Sequence, residues 1–312
     1  MPVKNFLITG ATGRQGGAVV DALLKQHAEK RDPIRIIAVT RNIWSAPANA
    51  LWQRSPDTIK LIEGDLDDVP AIFAAADELK VGPIWGVYSV QVSMGKDVTV
   101  DREIAQGYAL VDEALKNGVQ HFVYSSVERG GDVESWENKT PIPHFQAKYH
   151  IEHYLQRRVA ETKGTMGWTI LRPVAFMDNI APGFPTKVFL TALRNWLGDK
   201  RVQWVSVRDI GLFAAAAFAD PDAWNLRAVG LAGDECNVRE IGEAFEAAGH
   251  QPPQTYSIFG SILTSIVSEM RLMIGWFASD GYKADIPQRR AEIPEMLEFK
   301  QWLAQESGFV KN

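Results

Sequence analysis

Short apolar runs alternate with amphipathic stretches from the start of the chain. Residues 3–9 (VKNFLIT) form a compact apolar run closed by Gly10, which predicts a first strand. Residues 13–27 follow with Val19, Ala22, Leu23 and Leu24 on one side, which predicts a helix. The strand pattern recurs at 34–40 (IRIIAVT), 59–63 (IKLIE), 84–90 (IWGVYSV), 120–125 (QHFVYS) and 168–171 (WTIL). Between these runs, residues 69–77, 97–117 and 144–161 read as helices. In the second of them Val100, Ile104, Tyr108, Val111 and Leu115 recur every three or four residues, and Gly118 stands just past the end. Strands separated by helices imply right-handed crossovers and an α/β fold whose parallel sheet is covered on both faces.

The second half is less regular. Residues 188–198, 209–219, 238–248 and 294–307 read as helices, with a break at 249–253 (GHQPP). Apolar pairs at Ile258-Phe259, Ile262-Leu263 and Ile266-Val267, followed by Met270, predict a helix facing a core, or else lining a pocket or a dimer face. No repeat and no clean linker divides the chain. The expected organisation is a larger α/β part over 1–175, with 203–233 contributing, and a smaller part from 176–202 and 234–312.

Candidate chemistry begins at the first strand–helix junction. Gly10-Ala11-Thr12-Gly13-Arg14-Gln15-Gly16 has three glycines in the context of a dinucleotide-binding turn, one residue longer than the plain fingerprint. Gly10 permits the turn, Gly13 lets the backbone approach a pyrophosphate, and Gly16 lets the helix pack close to the strand. The helix N-terminus supplies N–H donors and positive potential. The second strand ends in Thr40-Arg41-Asn42, where NAD-binding chains carry an acid for the ribose hydroxyls. Arg41 suits a 2′-phosphate, with Arg14 as a second cation, so NADP(H) is the expected cofactor. Asp65 and Leu66 follow the third strand, where they could meet the adenine. Ser89, Val90 and Gln91 follow the fourth, at the carboxyl edge where such ligands bind.

Composition narrows the choice further. The chain has 312 residues, 46% hydrophobic and 23% charged, as in an ordinary globular protein. Its single cysteine, Cys236, excludes an internal disulfide framework and a cysteine zinc cluster. The net charge is -5 and no basic patch interrupts the acids, so direct nucleic-acid binding is not expected. No uninterrupted apolar span reaches the ~18 residues that would suggest a membrane helix. The opening residues do not read as a signal peptide, so cytoplasm is the expected location, with the nucleus left open. His150 and His153 lack an evident third ligand, and no metal is expected.

Taken in order, GATGRQGG, AVTRN, EGDLDD, HFVYSSVE, HFQAKYHIE and ILRPVAFMDN resemble the NmrA-like proteins, atypical members of the short-chain dehydrogenase/reductase superfamily. The resemblance spans essentially the whole chain. It implies a Rossmann-type doubly wound parallel sheet with a smaller α-rich C-terminal subdomain packed on the cofactor cleft. Catalytic members of the superfamily carry Tyr-x-x-x-Lys on a helix and a serine at the end of the fifth strand. Here the tetrad reads His144-Phe145-Gln146-Ala147-Lys148, and Ser125 and Ser126 end the strand. Lys148 and Ser126 would keep their roles, and His144, whose imidazole can donate or accept a proton, would handle the proton. The resemblance also places Pro173, Ala175, Phe176 and Asn179 around the nicotinamide.

Two functions follow from these residues. One is an NADPH-dependent oxidoreductase reducing a carbonyl, a quinone or an activated alkene. The other is a non-catalytic NADP(H) redox sensor acting through protein contacts, which the His-x-x-x-Lys pattern favours by its similarity to NmrA-like regulators. The partner is correspondingly a small-molecule substrate or a regulatory protein, and a homodimer stays open.

Overall fold

The structure, a computed structural model, describes residues 2–93, 95, 98–253 and 268–309. Its larger sheet has seven strands. Across the sheet they run β3 (Ile59–Glu63), β2 (Ile34–Thr40), β1 (Lys4–Ile8), β4 (Ile84–Ser89), β5 (His121–Ser125), β6 (Gly167–Pro173) and β9 (Arg227–Leu231). The pairs β1–β2, β2–β3, β1–β4, β4–β5 and β5–β6 are parallel. The order therefore grows outward on both sides of β1 and β4: the sheet is doubly wound, as the alternation of strand and helix implied. Helices α1 (Arg14–Lys30), α2 (Ala46–Gln53), α3 (Val69–Glu78), α4 (Val100–Lys116) and α5 (Pro143–Glu161) separate the strands. Because helices cover the sheet, its strands read as continuous buried runs: Phe6, Leu7 and Ile8 are buried in sequence, as are Ile36 through Val39.

The chain divides into two compact units. The first comprises Met1–Ser126, Ala147–Leu171 and Ile210–Ala228. Short polar side chains start its helices: Ser45, Asp68 and Thr99 accept the backbone N–H groups of Ala48, Ala71 and Arg102. The Ser45 cap and Pro47 in the first turn account for α2, which the apolar pattern alone does not reveal.

The apolar rhythm of α4 gives a different face from the one the fold buries. The buried residues are Glu103, Gly107, Leu110, Val111 and Ala114, whereas Val100, Ile104, Tyr108 and Leu115 are half-buried. Gly107 is the reason. A Cβ there would lie 2.5 Å from Ile151 of α5, so the two helices meet at a bare backbone and not at a large apolar side chain. Tyr108 instead stacks on Tyr154, with ring centroids 3.7 Å apart.

The second unit comprises Val127–Gln146, Arg172–Asp209 and Val229–Asn312. It holds a three-stranded sheet, ordered β10 (Asp234–Cys236), β8 (Val202–Val205) and β7 (Ala175–Phe176). Its helices are α6 (Phe184–Leu197), α9 (Val238–Ala247), α10 (Ser268–Ser279), α11 (Ile286–Glu292) and α12 (Phe299–Gln305). Between them in the chain, α7 (Val207–Ala219) crosses into the first unit and α8 (Pro221–Trp224) belongs to it. Trp204, Phe245, Trp276, Phe299 and Trp302 build one core cluster in the second unit. The helix expected over 294–307 begins only at Phe299, because a capping box between Glu298 and Gln301 sets the start there. The apolar pairs between 258 and 267, and the expected helix start at Asp97, lie outside the described residues. Among the described residues, no helix is long and apolar enough to cross a membrane.

Candidate functional site

The glycine loop stands where β1 hands over to α1. Gly10 has φ +59, a conformation that an L side chain rarely adopts. Thr9 fixes the loop from the other side: its hydroxyl accepts the Val90 N–H at 2.9 Å, which ties the end of β1 to the end of β4. Val90 packs directly on the turn, and a Cβ on Gly10 would meet its Cγ1 at 2.9 Å. Gly13 donates its N–H to the Gly10 carbonyl at 2.9 Å. At Gly16 a Cβ would lie 2.3 Å from the Gly10 oxygen, so only glycine lets α1 sit this close to the strand. Gly13 caps α1 with no side-chain hydrogen bond, and the first turn carries no acid. Thr12, Gly13 and Arg14 are exposed at this helix end. The result is a cradle of N–H donors and positive potential facing outward, as an anionic phosphate requires.

The neighbouring strand ends add polar groups. Arg41 is exposed after β2 and has no ion-pair partner among the described residues. After β3, Asp65 turns one carboxylate oxygen to the Asp67 N–H at 3.0 Å and so starts a short turn, while Leu66 is half-buried. After β4, Gln91 donates from Nε2 to the buried Ser89 Oγ at 2.9 Å. The other end of that amide, Gln91 Oε1, is buried without a hydrogen-bond donor among the described residues. A buried carbonyl left so is costly unless something donates to it.

The end of β5 connects this edge to α1 and α5. Ser125 donates to Gln15 Oε1 at 2.6 Å, which pins the first turn of α1 to the sheet. Ser126 donates to the carboxylate of Glu152, which is fully buried. Lys148, on α5, reaches the same edge, and its ammonium lies 5.5 Å from the ring centre of Tyr124. Its partner is Glu103 of α4, with Nζ and Oε1 2.8 Å apart. Burial raises the phenol of Tyr88 far above its ordinary range, so this side chain is a neutral wall.

The carboxyl edge of the sheet gathers several of the residues read from the sequence, with others beside them that the sequence reading did not name. The first unit brings together the glycine loop, Gln15, Ser89, Val90, Gln91, Ser126 and Lys148. Glu103, Ser93 and Glu152 were not anticipated. The available signal was two glutamates on faces that pack against other helices, which are almost never fully buried unless paired.

His144, Pro173, Ala175, Phe176 and Asn179 belong to the second unit. His144 is half-buried and sets its ring edge-on to Phe145, with centroids 4.8 Å apart. Pro173 is buried, and its carbonyl accepts the Glu128 N–H at 3.2 Å. Ala175 and Phe176 form β7, paired with Trp204 and Val205, and Asn179 is exposed in the short turn that follows. His153 packs on Tyr149 at 4.3 Å, and no group of three or more potential metal ligands occurs among the described residues.

Fold and site together define a doubly wound α/β protein with a glycine-rich turn at the carboxyl edge of its parallel sheet. Residues 2–303 match the NmrA-like family, and the chain belongs to it. It is similar to the NmrA-like family domain-containing oxidoreductase malD of Malbranchea aurantiaca, at 26% identity over 90% of this chain and 84% of that protein. It is also similar to the corresponding oxidoreductase hkm9 of Aspergillus hancockii, at 28% identity over 90% of this chain and 85% of that one. Among solved structures, the triphenylmethane reductase of Citrobacter sp. complexed with NADP(H) superposes with a TM-score of 0.69 at 17% identity, covering 97% of this chain and 99% of that one. The NADPH-dependent quinone oxidoreductase of Escherichia coli complexed with NADPH superposes with a TM-score of 0.67 at 19% identity, covering 96% and 98%.

Proposed function

We propose that this protein binds NADP(H) and is an NADPH-dependent oxidoreductase that reduces a carbonyl, a quinone or an activated alkene. The observation that carries the reading is the uncapped, acid-free N-terminus of α1 beside Arg41 and the unsatisfied Gln91 carbonyl. These residues fit a phosphorylated dinucleotide. The backbone from Gly10 to Gly16 holds the pyrophosphate, and Arg41, with Arg14, takes the 2′-phosphate through charge-assisted hydrogen bonds. Asp65 and Leu66 border the adenine. Gln91 accepts a hydrogen bond from the ligand at its free oxygen. Lys148 donates to the ribose hydroxyls next to the nicotinamide.

When bound, the reduced nicotinamide supplies the hydride. The residues of this chain supply position and protons. His144, one turn before Lys148 on the same helix, donates a proton from its ring nitrogen to the substrate oxygen or carbon that becomes basic as hydride arrives. Oxidoreductases dominate the relatives in name, which supports turnover. One observation supports the second reading, a redox sensor: the tetrad reads His144-x-x-x-Lys148, and the family resemblance ties Tyr-x-x-x-Lys to the catalytic members of the superfamily.

Calorimetric titration with NADP+, NADPH, NAD+ and NADH tests the binding claim. Tight NADP(H) binding over NAD(H) supports it, and no binding refutes it. NADPH oxidation against a panel of carbonyls, quinones and activated alkenes then separates the two readings. Steady oxidation abolished by Lys148→Ala supports the enzyme. No turnover, together with a partner affinity that changes between NADP+ and NADPH, supports the sensor.

A further inference from the structure

The Lys148 ammonium is buried, and the structure shows what allows that. Its side chain is 6% exposed and that of Glu103 is 1% exposed, with 2.8 Å between the charged atoms. The same Glu103 oxygen accepts the Ser93 hydroxyl at 2.9 Å. The pair stands where α4 and α5 come close. Gly107 lies one turn beyond Glu103, Ile151 lies three residues beyond Lys148, and a Cβ on Gly107 would lie 2.5 Å from Ile151. The spacing of the helices is thus set by a glycine, and that spacing lets a glutamate on one helix reach a lysine on the other.

We propose that Glu103 is a positioning residue for Lys148: its carboxylate, aimed by Ser93, compensates the buried ammonium and holds its N–H donors toward the carboxyl edge of the sheet. This rests on the NADP(H) reading above. The physical reason is desolvation. An ammonium removed from water needs an opposite charge and hydrogen-bond partners in place of its hydration. The adjacent carboxylate supplies the charge and, by taking one N–H, fixes the direction of the others. Among the described residues, the groups that face Lys148 are few. From α4 comes Glu103, with Arg102 beside it turned to Asp67 at 2.6 Å. From β5 comes the neutral ring of Tyr124, and from the segment after β4 comes Ser93. On its own helix, His144 stands one turn before it and Glu152 one turn after, the latter bonded to Ser126. Glu103 is the carboxylate in contact with the ammonium.

The test is NADPH affinity at a single pH, read by fluorescence titration, for wild type, Glu103→Gln, Lys148→Met and the double variant. Glu103→Gln is expected to lose about tenfold or more in affinity. Lys148→Met should also be weak, and adding Glu103→Gln to it should change nothing, because the carboxylate acts only through the lysine. Glu103→Asp, which keeps the charge, should restore most of the wild-type affinity. Wild-type affinity in Glu103→Gln, or a further loss in the Lys148→Met background, overturns the proposal. Breaking a buried ion pair can unfold the protein. In that event Ser93→Ala decides, since it leaves both charges in place: a loss of NADPH affinity of about threefold or more supports the aim given to Glu103, and wild-type affinity refutes it. Failure of wild type itself to bind NADPH would overturn the proposed function and this inference together, whereas wild-type affinity in Glu103→Gln overturns this inference alone.

Discussion

Gly16 and Gly17 are neighbours in α1, yet one added methyl should have opposite effects at the two positions. At Gly16 the new Cβ would lie 2.3 Å from the Gly10 oxygen and 2.6 Å from the Thr9 oxygen. Ordinary contact begins at 3.4 Å, so α1 must retreat by about 1.1 Å (3.4 − 2.3). The obstacle is backbone and cannot rotate away. Overpacking of this kind costs about 1–3 kcal/mol. Replacing glycine by alanine inside a helix returns about 1 kcal/mol. With a backbone clash the cost falls at the upper end, so the net loss is about 2 kcal/mol. At Gly17 the nearest atom, the Ala11 oxygen, is 3.5 Å away, which is ordinary contact. Gly17→Ala should therefore keep the helix gain of about 0.5–1 kcal/mol.

Thermal melting and NADPH titration of both variants read these differences. At about 2–4 °C per kcal/mol, Gly16→Ala should lower the melting temperature by about 4–8 °C and Gly17→Ala should raise it by about 2 °C. Moving the N-terminus of α1 by about 1 Å also withdraws its donors from the phosphates, so Gly16→Ala should lose about tenfold or more in NADPH affinity. Gly17→Ala should bind like wild type. A Gly16→Ala protein that melts and binds like wild type would refute the loop geometry and the argument built on it.

Arg41→Ala should weaken NADPH by about 10- to 100-fold, the range of a charge-assisted hydrogen bond to an ionised group, and leave NADH unchanged; equal loss for both nucleotides in calorimetry would refute the 2′-phosphate contact. Burial raises the Asp209 carboxyl to about 7, although it accepts the Leu297 N–H and has Arg208 beside it. The native state therefore binds a proton that the unfolded state has released between about pH 4 and pH 7, and this group's contribution to stability falls as pH rises through that window. Asp209→Asn should flatten that part of a stability–pH curve from denaturant melts, and an unchanged slope would count against it. Burial lowers His121 to about 4, where its Nε2 is hydrogen-bonded to Thr169 Oγ1 at 2.9 Å. Here the unfolded state takes up the proton first, so stability is lost as pH falls from about 6.5 to about 4. His121→Gln should lessen that acid-side loss in the same melts, and a steeper one would contradict the assignment.

Much of the first unit was legible because its signals are local. A strand that is buried on both faces reads as a near-continuous apolar run, so β2 has the bounds that its composition suggests. Gly13 and Gly16 answer to backbone atoms of Thr9 and Gly10 only a few residues away, and Gly10 to its own positive φ, which makes 10–16 readable without the fold. The short strands β7, β8 and β10 were missed for the opposite reason. Each has two to four residues, too few to show a period, and each is held by pairing with distant partners.

The sequence by itself determined a doubly wound parallel sheet, the glycine turn after its first strand, and a lysine one turn after a histidine on the helix that follows β5. Tertiary structure alone decided which face of α4 is buried, that Ser125 pins Gln15 while Ser126 meets Glu152, and that Lys148 is held by Glu103. The physical reason is range. Propensity, caps and hydrophobic period act within a few residues, whereas a buried charge finds its counterion only after two helices have closed on one another at Gly107 and Ile151.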